Sequence, residues 1–239
     1  MVPQKDNTAK KTGASAALLS IEIIILLVVF IGALIVFLFL AENIFMDHKF
    51  EFDKDAFEFL SLHVSNTFTD IMWFFTLLGT PQFLIPANIL LILYFLFIKK
   101  HTWYSIKIPV ISITSLLLMQ SLKLGFHRAR PLEPLLRPAA GYSFPSGHAF
   151  MSMTFYGLLI HIIWENMEGG KRWVIAILLS ILILLIGISR VYLRVHYASD
   201  VIAGYCMGLV WLILSMLIIR KIERYSVRKI SPIVETVSK

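Results

Sequence analysis

Six long apolar runs, separated by short polar segments, dominate the pattern of hydrophobic and polar positions along the chain. They occupy residues 18–40, 83–98, 103–122, 149–164, 173–188 and 201–219. Apolar runs of about 20 residues are typical of helices that cross a bilayer. The pattern therefore predicts an all-α, polytopic membrane protein with six transmembrane helices.

The segment between the first and second runs has a different pattern. Acidic residues are mixed with aromatic ones over residues 41–70, and between residues 55 and 68 the apolar positions recur at helical spacing. This spacing predicts an interfacial amphipathic helix that lies on the membrane surface after the first span. Residues 71–78 are apolar but too short to span, and Gly79, Thr80 and Pro81 then break the chain.

Composition agrees with a membrane protein, because 58% of the residues are hydrophobic and the mean hydropathy is +0.78. The net charge of +7 does not indicate nucleic acid, since most basic residues stand at the ends of apolar runs. That placement is typical of membrane topology. We therefore expect the lipid bilayer and a membrane lipid as partners, no nucleic acid and no obligate protein partner.

The distribution of basic residues also predicts the topology. With the N-terminus inside, residues 1–15 and 221–239 form basic cytoplasmic tails, and residues 16–220 form one six-span domain. The outer loops are then strongly basic only within residues 123–137 and at Arg190 and Arg194. An anionic ligand on the outer face of the cell membrane would account for both exceptions.

Three short motifs lie where predicted spans meet water on that outer face, within residues 123–148 and 189–200. Their residues are Lys123, Arg130 and Pro131; then Pro145, Ser146, Gly147 and His148; then Ser189, Arg190, His196 and Asp200. Ionisable side chains at a membrane edge are costly and usually functional. The motifs are therefore candidates for one active site.

The residue types suit a phosphoryl group. Lys123, Arg130 and Arg190 supply three cations for its equatorial oxygens. Ser146 and Gly147 open the fourth span, where unpaired helix amides and the helix dipole favour an anion. Three fixed cations would do the charge work of Mg²⁺, so we expect neither a metal nor another cofactor.

The remaining motif residues suit acid–base and nucleophilic chemistry. His196 and Asp200 are four residues apart, so one helical turn would bring them together and let the carboxylate fix the imidazole tautomer. His196 could then attack phosphorus, and His148 could protonate the leaving oxygen and later activate water. The expected intermediate is a phosphohistidine.

The three motifs resemble the signature of the type 2 phosphatidic acid phosphatase superfamily of membrane lipid phosphate phosphatases. All eleven motif positions match, from Lys123 to Asp200. The resemblance implies His196 as nucleophile, Asp200 as its orienting residue, His148 as acid, and Lys123, Arg130 and Arg190 as phosphate ligands. Small size and short loops resemble the bacterial group that acts on phosphatidylglycerophosphate and undecaprenyl pyrophosphate; phosphatidic acid is a further candidate substrate.

Other polar residues flank the motifs. His127, Arg137 and Arg194 are candidate contacts for a second phosphate or a head group. For His127, Arg137 and their neighbour Arg128, plain solvation of a loop is the simpler explanation. A non-catalytic transporter or binding protein for anionic lipids is the alternative function, because it would need the cations but neither His196 nor Asp200.

Overall fold

A computed structural model describes residues 6–46, 51–135 and 139–237, with side chains described at residue 21 and within 23–46, 51–135 and 139–226. The described chain is helical between short loops. The helices are α1 Asp6–Phe45, α2 Glu51–Ser61, α3 Asn66–Leu78, α4 Pro81–Leu93 with a π-helical turn Tyr94–Ile98, α5 Thr102–Phe126, α6 Gly147–Asn166, α7 Gly170–Tyr192 and α8 Ala198–Val237. The predicted all-α fold class is confirmed.

Five of the described helical segments are long and apolar enough to cross a membrane. They are Ile23–Phe45, Pro81–Ile98, Thr102–Phe126, Gly170–Tyr192 and Ala198–Ser226. The remaining long helix, α6, has 20 residues, but His148, His161 and several hydroxyl side chains lower its hydropathy. It corresponds to the predicted fourth span, so the count of six spans stays a prediction.

The region predicted as one amphipathic helix over residues 55–68 consists of two helices instead. Helix α2 ends at Ser61, and α3 begins after Ser65, whose side chain accepts a hydrogen bond from the Phe68 amide at 3.3 Å. Helix α2 is strongly amphipathic, with Phe52 and Phe59 exposed and Asp53 buried. The N-cap at Ser65 is the local reason why the helix does not continue.

Helix α6 lies at the centre of the bundle and packs most extensively against α8 and α7. Glycines on α8 permit its close approach. A Cβ atom at Gly204 would lie 2.7 Å from the Ser146 carbonyl oxygen, and one at Gly208 would lie 2.8 Å from the Phe150 carbonyl oxygen. Small residues four apart are a common device for close helix packing in membranes.

The order of the helices gathers the motifs. The last turn of α5, the start of α6, the last turn of α7 and the start of α8 all carry motif residues. Since consecutive antiparallel helices place alternating ends on one side, these four ends meet. Both predicted tails are helical where described: α1 begins at Asp6, and α8 continues past residue 220 to Val237.

Candidate active site

The first motif supplies two cations from the end of α5 and the loop after it. The Lys123 ammonium donates to the Tyr142 carbonyl oxygen at 2.6 Å. The Arg130 guanidinium donates to three carbonyl oxygens, those of Ala140, Gly141 and Val195, at 2.7–3.1 Å. These bonds hold both charges in place without neutralising them, because carbonyl oxygens carry no formal charge.

Arg190 is the third cation, and it is 7% exposed at the end of α7. Its Nη1 atom donates to Thr76 Oγ1 at 3.1 Å, and Thr76 Oγ1 lies 2.7 Å from Ser189 Oγ. The motif residue Ser189 therefore orients Arg190 indirectly, through Thr76 of α3. Sequence reasoning missed Thr76, which lies 114 positions from Arg190 and outside every motif.

Three buried polar atoms of the motifs have no hydrogen-bond partner within the described part of the chain. They are Ser146 Oγ, His148 Nε2 and Arg190 Nε. Buried polar groups are normally paired, so unpaired ones call for an explanation. A bound phosphate could form hydrogen bonds with all three: with the Ser146 hydroxyl, with His148 Nε2 and with the guanidinium Nε of Arg190.

The start of α6 adds backbone donors to this cluster. The Ser146 amide donates to the Asp200 carbonyl oxygen at 3.0 Å, and the first helical hydrogen bond runs from Phe150 N to Ser146 O. The amides of Gly147 and His148 precede that bond and belong to the unpaired first turn. A Cβ atom at Gly147 would lie 3.7 Å from Lys123 Cε, so the helix start and the lysine are neighbours.

The charges converge on the histidines. His148 interacts electrostatically with Arg190, His196, Arg130 and Lys123. None of Lys123, Arg130 and Arg190 forms an ion pair with a carboxylate among the residues that the structure describes. Three cations without an ion pair in the described chain therefore act on His148, and two of them, Arg130 and Arg190, also act on His196, so the site prefers an anion.

His196 is 2% exposed, and the geometry around it fixes its tautomer. Arg130 Nη1 lies 3.1 Å from His196 Nε2. Because a guanidinium can only donate, Nε2 must accept, and the ring proton sits on Nδ1. Nδ1 faces Asp200 Oδ2 at 3.5 Å and Ser143 Oγ at 3.4 Å. The lone pair on Nε2 therefore points toward Arg130.

His196 remains neutral in this setting. Burial lowers its pKa from 6.5 to about 3; Asp200 opposes the shift, and the nearby cations Arg130 and Arg190 reinforce it. The pKa of Arg130 is also lowered by burial, although Asp200 raises it. A neutral imidazole is the form that can act as a nucleophile.

The prediction that one helical turn brings His196 and Asp200 together needs a correction. Their side chains do approach, but His196 lies in the loop before α8, which begins at Ala198. The loop is held by hydrogen bonds from the amides of Val195 and His196 to the Arg190 carbonyl oxygen at 3.2 and 3.3 Å. The contact therefore depends on the end of α7 as well as on α8.

Asp200 is fully buried and well bonded. Its Oδ2 atom accepts from Ser143 Oγ and, at 2.9 Å, from the Tyr197 amide. Its Oδ1 atom accepts from Arg128 Nη1 at 2.5 Å. The expectation that Arg128 is a solvated loop residue is wrong: its side chain is 15% exposed and pairs with Asp200 and Asp53.

The flanking candidates lie at the edge of this cluster. His127 caps α5 in a left-handed conformation, is exposed, and its ring packs edge-on against Tyr142 with centroids 4.5 Å apart. Arg194 Nη1 lies 3.9 Å from Glu133 Oε2. Arg137 lies outside the described residues. Their contact with a second phosphate or head group stays a prediction.

A cavity of about 730 Å³ lies at the other end of the bundle. His101, Glu165 and Arg220 line it, at the start of α5, the end of α6 and the later part of α8. It contains no motif residue, and its Lys107 and Glu223 side chains pair at 2.9 Å. The unpaired cations and the two histidines lie at the motif end, so the candidate site lies there and not at this cavity.

Fold and site together define an integral membrane enzyme that handles phosphate. The chain belongs to the PAP2 superfamily, whose family model matches residues 104–224. Among curated relatives, phosphatidylglycerophosphatase B of Bacillus subtilis (strain 168) is 31% identical over 65% of this chain and 77% of that protein. Undecaprenyl-diphosphatase of Sulfolobus acidocaldarius is 27% identical over 66% and 73%.

Solved structures agree with the sequence relatives. A transmembrane PAP2-type phosphatidylglycerolphosphate phosphatase from Bacillus subtilis has a TM-score of 0.74 at 26% identity, covering 83% of this chain and 99% of that one. Aquifex aeolicus LpxE has a TM-score of 0.55 at 26% identity, covering 68% and 93%. The resemblance found in the motifs is confirmed, and the chain is a lipid phosphatase of the hydrolase class.

Proposed function

We propose that the chain removes the terminal phosphate of phosphatidylglycerophosphate, undecaprenyl pyrophosphate or both, without a metal and through a phosphohistidine at His196. The observation that carries this proposal is the hydrogen bond from Arg130 to His196 Nε2, which indicates that the ring proton is on Nδ1 and that the Nε2 lone pair faces Arg130, a proposed phosphate ligand. The names of the two curated relatives support the choice of substrates.

In the first step, Arg130 exchanges its hydrogen bond to His196 Nε2 for one to a phosphate oxygen, and the freed Nε2 lone pair attacks phosphorus while the bond from phosphorus to the leaving oxygen breaks. His148, protonated once the phosphate anion is bound, gives that oxygen its proton, so the dephosphorylated lipid leaves as a neutral hydroxyl, or as a monophosphate when the substrate is a pyrophosphate. Lys123, Arg130 and Arg190 balance the charge that develops on the equatorial oxygens. The Asp200 carboxylate, whose Oδ2 atom faces Nδ1 at 3.5 Å, stabilises the ring as it becomes cationic.

In the second step, water attacks the phosphohistidine and His148 takes a proton from it. The bond from phosphorus to Nε2 breaks, inorganic phosphate leaves, and His196 returns to its neutral form. The Ser146 hydroxyl and the amides of Gly147 and His148 at the start of α6 bind phosphate oxygens throughout. His127, Arg137 and Arg194 are the proposed contacts for a second phosphate or a head group.

A phosphate-release assay in liposomes tests the reaction. The panel contains phosphatidylglycerophosphate, undecaprenyl pyrophosphate, phosphatidic acid and diacylglycerol pyrophosphate, each with and without excess chelator. We expect release from at least one of the first two, unchanged by the chelator. His196→Ala should fall to background, whereas His63→Ala, at an exposed histidine, should match the parent. Full turnover by His196→Ala, or loss with chelator, would contradict the mechanism.

The alternative of a non-catalytic lipid transporter or binding protein now has less support, since the family is enzymatic. The same assay separates the two functions. A transporter would leave all four lipids phosphorylated and would tolerate His196→Ala, because its cations alone would hold the head group.

We also propose that the site faces away from the cytoplasm and that both termini are cytoplasmic. The proposal rests on the counts of basic residues along the sequence. Leu132 is 96% exposed in the loop that joins the first two motifs. In a Cys206→Ser background, Leu132→Cys should react with a membrane-impermeant maleimide on intact cells, whereas Lys221→Cys should react only after lysis. The opposite pattern would invert the topology.

A further inference from the structure

A carboxylate outside the motifs lies next to the site. Asp53 is 5% exposed, although it belongs to the amphipathic helix α2, whose other acidic residues are exposed. It accepts from Arg128 Nη2 at 2.9 Å, from the Ser199 amide at 2.8 Å and from Ser199 Oγ at 2.7 Å. Ser199 directly precedes Asp200, so α2 is attached to the segment that carries the orienting carboxylate.

Arg128 connects the two carboxylates. One arm of its guanidinium, Nη1, donates to Asp200 Oδ1, and the other, Nη2, donates to Asp53 Oδ2. Its carbon Cζ also lies 4.1 Å from the centroid of the Tyr197 ring. Although burial lowers the pKa of Arg128, Asp200 and Asp53 raise it, and the net direction is upward. The guanidinium is therefore a fixed cation shared by two carboxylates.

The charge balance of this triad bears on His196. A buried pair of Asp200 with Arg128 alone would be neutral, and a neutral pair stabilises a developing imidazolium weakly. Adding Asp53 gives the triad a net charge of −1, so Asp200 keeps its negative potential toward Nδ1, which lies 3.5 Å away. Electrostatic interactions in such a buried setting are only weakly screened.

We infer that Asp53 is a positioning residue for the phosphatase reaction: it acts through Arg128, compensates that cation and thereby keeps Asp200 available to His196. The inference rests on the proposed nucleophilic role of His196. It also gives the interfacial helix α2 a function beyond lying on the membrane, because its first turn supplies part of the charge balance of the site.

The competing explanation is that Asp53 only fastens α2 to the bundle. The two explanations differ in which substitution is harmful. Asp53→Asn keeps the shape and removes the charge, whereas Asp53→Glu keeps the charge and changes the shape. If Asp53 only holds α2 in place, Asp53→Asn should be less harmful than Asp53→Glu. If its charge matters for turnover, Asp53→Glu should be less harmful than Asp53→Asn.

The experiment measures kcat, KM and thermal midpoint in liposomes, with whichever lipid of the four-lipid panel the parent hydrolyses. We expect Asp53→Asn to lower kcat about 10- to 100-fold, the range found for residues that orient the histidine ligands of metals, with KM within about twofold. Asp53→Glu should stay within about threefold of the parent in kcat even if its thermal midpoint falls. The matched control is Asp55→Asn, an exposed carboxylate two residues along α2, which should match the parent.

A double variant tests whether Asp53 acts through Arg128. Asp53→Asn with Arg128→Gln restores the net charge of −1, so its kcat should exceed that of Asp53→Asn alone. A parent-like kcat for Asp53→Asn, a double variant slower than that single variant, or a Glu variant slower than the Asn variant would overturn the inference. Should Asp53→Asn fail to fold, Asp53→Glu decides alone, and a loss of more than about threefold in kcat overturns the inference.

His196→Ala in the same assay keeps the two proposals distinguishable. If His196→Ala is inactive and Asp53→Asn is parent-like, only the role of Asp53 fails. If His196→Ala retains full turnover, the nucleophile itself is misassigned, and the role of Asp53 fails with it.

Discussion

Replacing Asp200 with asparagine probes the orientation of the nucleophile with little change of shape. In the parent, Oδ1 accepts from Arg128, and Oδ2 accepts from Ser143 and the Tyr197 amide and faces His196 Nδ1. Asparagine has one oxygen and one NH₂ group. If the oxygen stays with Arg128, the NH₂ group points at the Tyr197 amide and at the Nδ1 proton. One backbone donor then loses its acceptor, and the histidine tautomer that frees Nε2 is disfavoured.

These losses give separate magnitudes for stability and rate. One buried donor left without an acceptor costs about 1–3 kcal/mol of unfolding free energy. Reversing the tautomer of a catalytic histidine by an Asp-to-Asn change lowers kcat about 10⁴-fold in the serine protease triad, or ~5.5 kcal/mol at ~1.4 kcal/mol per tenfold. Since the parent contact is 3.5 Å, longer than an ordinary hydrogen bond, we expect a loss of about 10³- to 10⁴-fold.

The assay is steady-state phosphate release from liposomes, with thermal midpoints measured on the same samples. Asp70→Asn, an exposed carboxylate on α3, is the matched control and should leave both values unchanged. A large loss in kcat with a KM close to that of the parent is the expected result. Parent-like turnover for Asp200→Asn, in a folded sample, would remove Asp200 from the mechanism.

Three further predictions follow from the same geometry. Gly147→Ala should fold, because a Cβ atom there meets Met119 Sδ at an ordinary 3.4 Å. Its methyl group should weaken competitive inhibition by inorganic phosphate severalfold. Unchanged inhibition would contradict a phosphate site at the start of α6. Arg190→Lys keeps the charge but loses the Nε donor and the contact with Thr76, so kcat/KM should fall about 10- to 100-fold. Parent-like values would argue against a role for the planar guanidinium of Arg190. The pKa of His196 is about 3 in the folded protein and 6.5 in the unfolded chain, so acidification from pH 6.5 toward 3 should lower the thermal midpoint. His196→Asn should reduce the dependence of the thermal midpoint on pH. An equal pH dependence in both proteins would contradict a buried neutral ring.

The motif end of the bundle could be predicted from the sequence because it depends on short motifs and on the regular alternation of apolar and polar segments. Apolar runs of membrane length alternate in direction, so the ends of the predicted third and fifth spans must meet the starts of the fourth and sixth. The residue types of the motifs, three cations and two histidines, also indicated phosphate chemistry from the sequence alone. The structure adds the direction of the Nε2 lone pair, which depends on the loop around Val195 rather than on helical spacing.

Other features had no sequence signal that could reveal them. Asp53 is one of several acidic residues in a segment that reads as a membrane-surface helix, and its contact with Ser199 spans 146 positions. Arg128 looked solvated because it lies in a loop rich in proline and basic residues. A carboxylate and a guanidinium bury each other only when the tertiary fold brings them together, and no periodicity encodes that pairing. The break between α2 and α3 was marked only by Ser65, a cap residue among several polar ones.

Single-turnover labelling tests the central claim most directly. The protein is mixed with lipid carrying a radiolabelled terminal phosphate, quenched within milliseconds, and mapped by peptide sequencing, with His196→Ala as the control. The account predicts acid-labile, base-stable label on the peptide that contains His196 in the parent, and no label in His196→Ala. Release of phosphate with no label on the chain at any time, or label on a different residue, would contradict it.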